Sequence, residues 1–401
     1  MAKFRILSLD GGGSWALIQV MALRALYSEN TKGHAVLKDF DLVAANSGGS
    51  IVLGGLIENL TLKELLQNYF LDEAKRRTIF SPLGFGENLG NIIYKCIGIA
   101  PKYSTAAKLA GLKTLIVNFG STEMSALPGR IVQSIGRSPH FLICGFNYDS
   151  RRAAFFRSNL ASPAASSKPS SEATLAEAIN ASSTAPVKFF NAPAEVGSAR
   201  YWDGAVAGYN NPILAAVVEA FACNQRAADI QALSIGTASV RRPFLQPGEI
   251  DTSGLMQFPQ QSNPKNDVQE LAGSILDDPP DAASFIAHVA LGQSLPDAAP
   301  PEVTGSLVRM SPMIEPVHGK NGNWAPPVGL SVPEFLDLAN LDLDAIEQED
   351  VLKIQNLADQ WLQDNVTNQA IRSNSTDFSC QIGHAKFSGA KTAWNALKQI
   401  P

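Results

Sequence analysis

Residues 40–57 have the sequence FDLVAANSGGSIVLGGLI, and the expected fold follows from this stretch. The run 40–45 is short and mostly apolar and is followed by turn residues, which is typical of a buried strand. The apolar run 51–57 after the glycines favours a helix. The stretch therefore predicts a strand and a helix joined by a tight turn, with Ser47 at the corner.

A serine at such a corner is suited to nucleophilic chemistry. The turn holds the hydroxyl above the sheet, near the positive end of the following helix. The usual pattern is G-x-S-x-G, and this chain has Ala45 and Gly49 at the two small-residue positions. The competing interpretation is a glycine-rich turn that merely enters a helix, because the pattern alone is weakly specific.

A glycine-rich loop also follows the first predicted strand. Residues 4–9, FRILSL, predict a strand that leads into Asp10-Gly11-Gly12-Gly13, and an amphipathic helix comes next. Such a loop points backbone N–H groups at an anion, which is either a phosphate of a nucleotide or dinucleotide or the oxyanion of an acyl transfer. No Lys-Ser/Thr pair follows the glycines, and Ala16 stands where a dinucleotide loop has its third glycine. Because both phosphate-binding patterns are incomplete, the oxyanion of an acyl transfer is favoured over a phosphate as the anion bound by this loop.

Asp203 ends a predicted strand and precedes Gly204. A carboxylate at this place can accept a proton from a serine if the fold brings the two together. An Asp-Gly pair is also an ordinary turn signal. Strands and helices alternate from residue 4 to 236, which predicts a largely parallel sheet with helices on both faces. Ser47, Asp203 and the glycine loop would then lie at strand ends, where such sheets bind ligands.

The composition is that of an ordinary globular protein. The chain has 401 residues, 45% of them hydrophobic and 17% charged, and its net charge of -5 argues against nucleic acid as a partner. The four cysteines are far apart and predict reduced core thiols rather than a disulfide or metal framework. We expect no signal peptide and no membrane span, because the uncharged window 42–57 has a polar centre and is short of about 20 apolar residues. The expected location is the cytoplasm, and peripheral membrane contact or export by a dedicated secretion system stays open.

Two further regions have distinct compositions. Residues 61–120 contain eight Lys or Arg and four acids, and apolar aromatic residues lie among them. This predicts transient contact with an anionic membrane surface through residues 75–113, although an ordinary solvated helix pair gives the same pattern. Thirteen of the 24 prolines fall in residues 241–329, which predicts an irregular segment that walls or caps the site. A last helix over 345–371 should pack on the core, residues 4–237, of a single domain spanning 1–401.

Four motifs in order resemble the patatin-like phospholipases. They are the glycine loop 10–13 DGGG, the serine turn 45–49 ANSGG, the segment 181–186 ASSTAP, and 203–205 DGA followed by 210–212 NNP. The resemblance covers about residues 4–237. It implies a three-layer α/β/α sandwich with a mostly parallel central sheet, to which helical and irregular parts are added.

The resemblance also implies a function. It implies a lipid acyl hydrolase of the phospholipase A type, which acts on phospholipids or other acyl lipids without a metal or another cofactor. Ser47 would be the nucleophile and Asp203 its base, and an oxyanion hole would be formed by Gly11, Gly12, Gly13 and Gly48. Two departures stand out: Trp15-Ala16 replaces the usual Arg-Gly after the glycines, and Ala45-Asn46 replaces the common Gly-Thr before the serine.

Other functions remain open at this point. A Ser-Asp-His triad is permitted by chain order, because His288, His318 and His384 all follow Asp203. A storage or ligand-binding relative would keep an idle dyad, and a signal-activated phospholipase would use the proline-rich segment as a regulatory pocket. The sequence does not indicate the lipid head group or the oligomeric state.

Overall fold

The computed structural model describes residues 3–83, 100–158, 172–186, 188–258, 262–263, 281–293, 305–319, 322–369, 371 and 382–400. Its strands are β1 Phe4–Leu9, β2 Leu42–Ala45, β3 His140–Asn147, β4 Arg152–Arg157, β5 Ala194–Val196, β6 Ala199–Asp203, β7 Ile230–Ile235, β8 Ser239–Val240, β9 Leu307–Met310, β10 Met313–Ile314, β11 Val317–His318 and β12 Trp324–Ala325. Its helices are α1 Leu17–Tyr27, α2 Gly33–Leu37, α3 Ser47–Ile57, α4 Leu62–Leu66, α5 Glu73–Ile79, α6 Thr105–Leu115, α7 Leu127–Ile135, α8 Leu175–Ser182, α9 Ile213–Ala222, α10 (residues 281–290), α11 Val332–Ala339, α12 Gln348–Leu362 and α13 Phe387–Lys398. Short 3-10 helices lie at Gly13–Ala16, Met124–Ala126, Gly204–Ala207 and Ala227–Asp229, and a π-helical turn at Gln67–Leu71 joins α4 to α5.

Eight of these strands form one sheet in the order β5-β6-β3-β2-β1-β7-β9, with β4 also paired to β3. The central strands β3, β2, β1, β7 and β9 are parallel. Strands β4 and β6 run antiparallel to β3, and β5 runs antiparallel to β6. The predicted largely parallel sheet is confirmed, with antiparallel strands on one side.

Side chains of the central strands alternate between two cores. Leu7 and Leu9 of β1 face a core that includes residues of α1, α3, α8, α12 and α13. Ile6 faces a smaller core with residues of α9 and α10. Burial of apolar surface on both faces supplies the main stabilisation of such a sheet. The predicted α/β/α sandwich is confirmed.

Strand β3 brings two distant parts of the chain together. One edge of β3 pairs with β4. The other edge pairs with β2, where Ile143 is the partner of Ala45, and further along the strand with β6, where Gly145 is the partner of Asp203. Since β6 is antiparallel to β2, the carboxyl ends of these two strands meet on the same edge. The prediction placed Asp203 at the end of a strand, and the structure adds that this strand approaches β2 from the opposite direction.

The C-terminal third differs from the prediction in two ways. The helix predicted over 345–371 is shorter, because α12 ends at Leu362 and Asp364 adopts a left-handed conformation with φ 64°. The chain then returns to the sheet, and Gln369 N–H donates to Ser311 O at 2.7 Å. The segment 241–329, predicted to be irregular, contributes strand β9, which is buried and pairs with β7. The apolar run 307–310 is the only sequence signal of β9, and it is short and surrounded by prolines.

Candidate active site

Ser47 lies at the corner between β2 and α3, and its backbone is in the left-handed region with φ 47°. This conformation costs a non-glycine residue on the order of 1 kcal/mol and often occurs at functional positions. The turn is tight because a Cβ on Gly49 would lie 2.6 Å from the carbonyl oxygen of Asp10. Ala45 causes no comparable strain, since it is a β2 residue paired with Leu9. The departure from G-x-S-x-G at Ala45 therefore adds no backbone strain to the turn.

Asp203 ends β6 and is only 4% exposed. Its Oδ1 accepts hydrogen bonds from Ala205 N–H at 2.9 Å and from Asn46 Nδ2 at 3.0 Å. The Ser47 side chain is close enough to this carboxylate for its hydroxyl to lower the pKa of Asp203 as a hydrogen-bond donor. Burial raises the pKa of Asp203 above its ordinary value, while these hydrogen bonds and the charge of Lys108 act to lower it. The structure thus brings the two predicted residues together.

Asn46 links the serine turn to Asp203 through a small network. Its Nδ2 reaches Asp203, and its Oδ1 accepts a hydrogen bond from Ser182 Oγ at 3.3 Å. Ser182 Oγ in turn accepts the Ser47 N–H at 2.9 Å. The N–H of Asp203 donates to Thr184 O at 2.9 Å. The sequence pattern marks Asn46 only as a departure from Gly-Thr and does not indicate its contact with Asp203.

The glycine loop packs directly on the serine turn. A Cβ on Gly11 would lie 2.9 Å from Ser47 Cβ, and a Cβ on Gly48 would lie 2.5 Å from Gly13 O and 2.8 Å from Gly13 N. These positions need glycine because the two backbones approach so closely. The Gly11 N–H donates to Asn210 O at 2.8 Å, and Thr237 Oγ1 donates to Gly11 O at 2.6 Å. Gly11 thus fixes the loop to its neighbours.

Arg309 is a site residue that sequence reasoning missed. Its Nη2 lies 2.6 Å from Asp10 Oδ2, and its Nη1 donates to Ser234 Oγ at 2.8 Å. Burial raises the pKa of Asp10 to about 6, against the lowering effect of Arg309. The signal in the sequence was the apolar run of β9 with one arginine, which was hidden in the proline-rich segment.

A cavity of about 760 Å³ opens above Ser47. This volume is within the usual range for small-molecule sites, about 300–1,000 Å³. Ser47, Asp203 and the glycine loop contribute to its lining, and much of its wall is apolar. The apolar lining includes Trp15, Ile51, Phe80, Phe190, Val240 and Leu338.

One wall of the cavity comes from a segment that was not predicted to line it. Residues 338–344 contribute Leu338, Ala339, Leu341, Leu343 and Asp344. This segment is anchored to the glycine loop, since Ser14 N–H donates to Leu343 O at 2.9 Å and Trp15 Nε1 donates to Asp342 O at 3.3 Å. Within the described part of 241–329, Arg309 is the residue that lines the cavity.

A comparison with family models decides the family. The model of the patatin-like phospholipases matches residues 7–217, which is just over half of the chain. The chain belongs to the patatin-like phospholipase family. The matched range includes Ser47, Asp203 and the glycine loop, whereas Arg309 and the segment 338–344 lie beyond it.

Individual relatives of this patatin-like chain are distant. An intracellular phospholipase A2 of Caenorhabditis elegans is 26% identical over 269 residues. The match covers 64% of this chain and 21% of that protein, so the chain spans about a fifth of the length of this curated relative. The crystal structure of VipD from Legionella pneumophila aligns with 99% of this chain and 75% of its own, at 10% identity and a TM-score of 0.34.

The histidines lie away from the serine of this patatin-like site. All five are in the described part of the chain, and none lines the cavity. His288 and His384 are buried elsewhere, and His318 is exposed beside Trp324. A Ser-Asp-His triad therefore has no support from this geometry. Among the described residues, no group of three His, Cys, Asp or Glu could hold a metal ion.

The basic residues predicted to contact a membrane are largely engaged within the chain. Residues 84–99, the centre of the predicted surface 75–113, lie outside the described residues. Arg76 is buried and donates to Ile346 O, while Arg77 pairs with Glu347 and Lys102 with Asp342. Membrane contact through this surface stays a prediction. In the part of the chain that the structure describes, no helix has the length and apolar character to cross a bilayer.

Proposed function

We propose that this protein is a lipid acyl hydrolase of the phospholipase A type that uses Ser47 and Asp203 as a catalytic dyad. The observation that supports the proposal most is the approach of the Ser47 hydroxyl to the buried Asp203 carboxylate, with Ser47 in a strained backbone conformation and both residues lining a largely apolar cavity. Membership of the patatin-like phospholipase family and the similarity to a phospholipase A2 agree with it.

In the proposed reaction Asp203 takes the proton of Ser47 Oγ as this oxygen attacks the ester carbonyl. The N–H groups of Gly12, Gly13 and Gly48 stabilise the oxyanion, together with the positive end of α3. Gly11 is not among these donors, because its N–H already donates to Asn210 O. The alcohol leaves with the proton from Asp203. A water molecule then attacks the acyl-enzyme carbonyl and Asp203 accepts its proton. The bond between this carbon and Ser47 Oγ breaks, Asp203 returns the proton to Ser47 Oγ, and the fatty acid is released.

The apolar wall of the cavity holds the acyl chain in this proposal. Its side chains come from the loop after the glycines, from α3, from residues 79–80 and 189–190, and from the segment 338–344. A chain of methylene groups gains about 0.8 kcal/mol for each group that it buries. The fatty acyl part of the substrate therefore supplies much of the binding energy.

The proposal is tested by fatty-acid release from vesicles of mixed phospholipids in the presence of a chelator. The parent protein is compared with Ser47→Ala and Asp203→Asn, each checked for folding by circular dichroism. Release by the parent and loss of several orders of magnitude in both variants supports the dyad. Equal release by the parent and Ser47→Ala contradicts it. A parent that releases nothing and does not react with a fluorophosphonate would instead indicate an idle relative.

A further inference from the structure

Lys108 is a fully buried lysine in the wall of the cavity that contains Ser47 and Asp203. Its relative exposure is 0%, although lysine is almost never fully buried unless it is paired. It lies on α6, a helix that had been assigned to the predicted membrane-contacting surface. None of the steps proposed above uses it, so its burial needs an explanation.

The hydrogen bonds of Lys108 match those of an ammonium group. Its Nζ donates to Asn180 O at 3.1 Å, to Ser183 Oγ at 3.2 Å and to Thr184 Oγ1 at 2.7 Å. The two hydroxyls already donate their own protons, Ser183 to Ile179 O and Thr184 to Asn180 O. They can only accept from Lys108. Three acceptors need three N–H donors, which an ammonium has and a neutral amine lacks.

Two further contacts favour the charged form. The Nζ lies 4.0 Å from the ring centroid of Phe190, which is cation–π geometry. Lys108 and Asp203 attract each other electrostatically. Burial lowers the pKa of Lys108, and the negative charge of Asp203 opposes that effect. A buried cation and a buried anion in one cavity each reduce the cost of burying the other.

The other charged groups near Asp203 have partners of their own. Asp10 pairs with Arg309, and Asp344 pairs with Lys102. On β3 behind Asp203, burial raises the pKa of the Cys144 thiol, which keeps it neutral. Among the residues that the structure describes, two further cations are Lys188, which is exposed in the cavity wall, and Arg157 of β4, which pairs with Glu219. Lys108 is thus the buried cation that acts on Asp203.

We propose that Lys108 is a positioning residue that keeps Asp203 ionised and braces the segment 180–184 against the dyad. The segment touches both members, since Ser182 Oγ accepts the Ser47 N–H and Thr184 O accepts the Asp203 N–H. The proposal rests on the proposed Ser-Asp function and adds a residue to it. Lys108 contacts this segment and acts on the reaction through Asp203.

The test measures the rate at which a fluorophosphonate labels Ser47 as a function of pH, in the parent and in Lys108→Met. Removing the positive charge makes ionised Asp203 harder to maintain. The labelling rate falls at low pH as Asp203 becomes protonated, and this acid limb should move to higher pH by about one unit or more in the variant. At higher pH, where Asp203 is ionised in both proteins, the variant should lose less of its labelling rate. If Lys108→Met does not fold, Lys108→Gln also removes the charge and keeps donors for two acceptors, and the same shift is expected.

Thr184→Val is the matched control. It removes one acceptor of Lys108, keeps the buried shape and the ammonium, and leaves the backbone carbonyl that binds Asp203. Its labelling rate should fall while its acid limb stays at the pH of the parent. A folded Lys108 variant whose acid limb coincides with that of the parent overturns the role of Lys108. Failure of the parent itself to label at any pH overturns the proposed dyad instead, so the two failures are distinguishable.

Discussion

Arg309 of β9 and Asp10 of the glycine loop form a buried ion pair, with 2.6 Å between Nη2 and Oδ2. Their side chains are only 5% and 4% exposed. Arg309 lies beyond the range 7–217 that the family model matches. The glycine loop is therefore held in place by a residue from outside the part of the chain that matches the family.

Breaking this pair should destabilise the fold. Removing one member leaves the other charge buried without its partner, which typically costs about 3–5 kcal/mol. At neutral pH we expect Arg309→Met to lower the free energy of unfolding by about 3 kcal/mol, and Asp10→Asn to change it less, because the neutral amide removes the cost of burying the Asp10 charge. The double variant should lose clearly less than the sum, as measured by chemical denaturation in a double-mutant cycle. Strictly additive losses would show that the two side chains do not interact.

Asp10 should also give the stability a defined pH dependence. Burial raises its pKa from 3.8 to about 6, so the folded state binds more protons than the unfolded state between these values. The contribution of Asp10 is therefore fully present below about pH 4 and declines as the pH rises to about 6, by up to about 3 kcal/mol. The difference in free energy of unfolding between the parent and Asp10→Asn should decrease across this window. An increase with pH would contradict the raised pKa.

Asn46 should matter for turnover although it is not a member of the dyad. Asn46→Ala removes the 3.0 Å hydrogen bond to Asp203, and a bond to a charged group contributes about 1.5–3 kcal/mol. We expect kcat/KM for ester hydrolysis to fall by about 10- to 100-fold. Asn118→Ala is the control, because this amide bonds Glu58 and does not line the cavity. Equal activity of Asn46→Ala and the parent would refute the role of Asn46.

Gly48 should not tolerate a side chain. A Cβ at this position would lie 2.5 Å from Gly13 O and 2.9 Å from Ala16 Cβ, so the glycine loop must move. Because oxyanion donors need precise placement, we expect Gly48→Ala to lower kcat by about 100-fold or more. Gly129→Ala is the control, since a Cβ there meets nothing within 4 Å. It should keep full activity, and an active Gly48→Ala would argue against this loop as the oxyanion site.

Local patterns were sufficient to predict the core of the fold. The run 4–9 is the strand β1 with the expected bounds, because it is largely buried and is followed by turn residues. The turn at Ser47 was predictable since its small residues reflect a close backbone approach. These features depend on neighbours in the sequence.

Features that depend on distant contacts were not predicted. The ion pair of Asp10 joins residues 299 positions apart in the chain, and nothing near Arg309 in the sequence indicates its partner. The carboxyl ends of β6 and β2 meet because both strands pair with β3 in opposite directions. Local periodicity in the sequence does not indicate these pairings. Similarly, the predicted helix over 345–371 ran too far because Asp364 and Gln369 turn the chain back to the sheet through tertiary contacts.

The most direct test of the dyad is mass-spectrometric mapping of the adduct formed by a fluorophosphonate at neutral pH. The account predicts a single modified residue, Ser47, in the parent and no adduct in Ser47→Ala. It also predicts labelling at least about 100-fold slower in Asp203→Asn, because the base that accepts the serine proton is lost. Modification of another residue, or an Asp203→Asn variant that labels as fast as the parent, would contradict the claim that Asp203 activates Ser47.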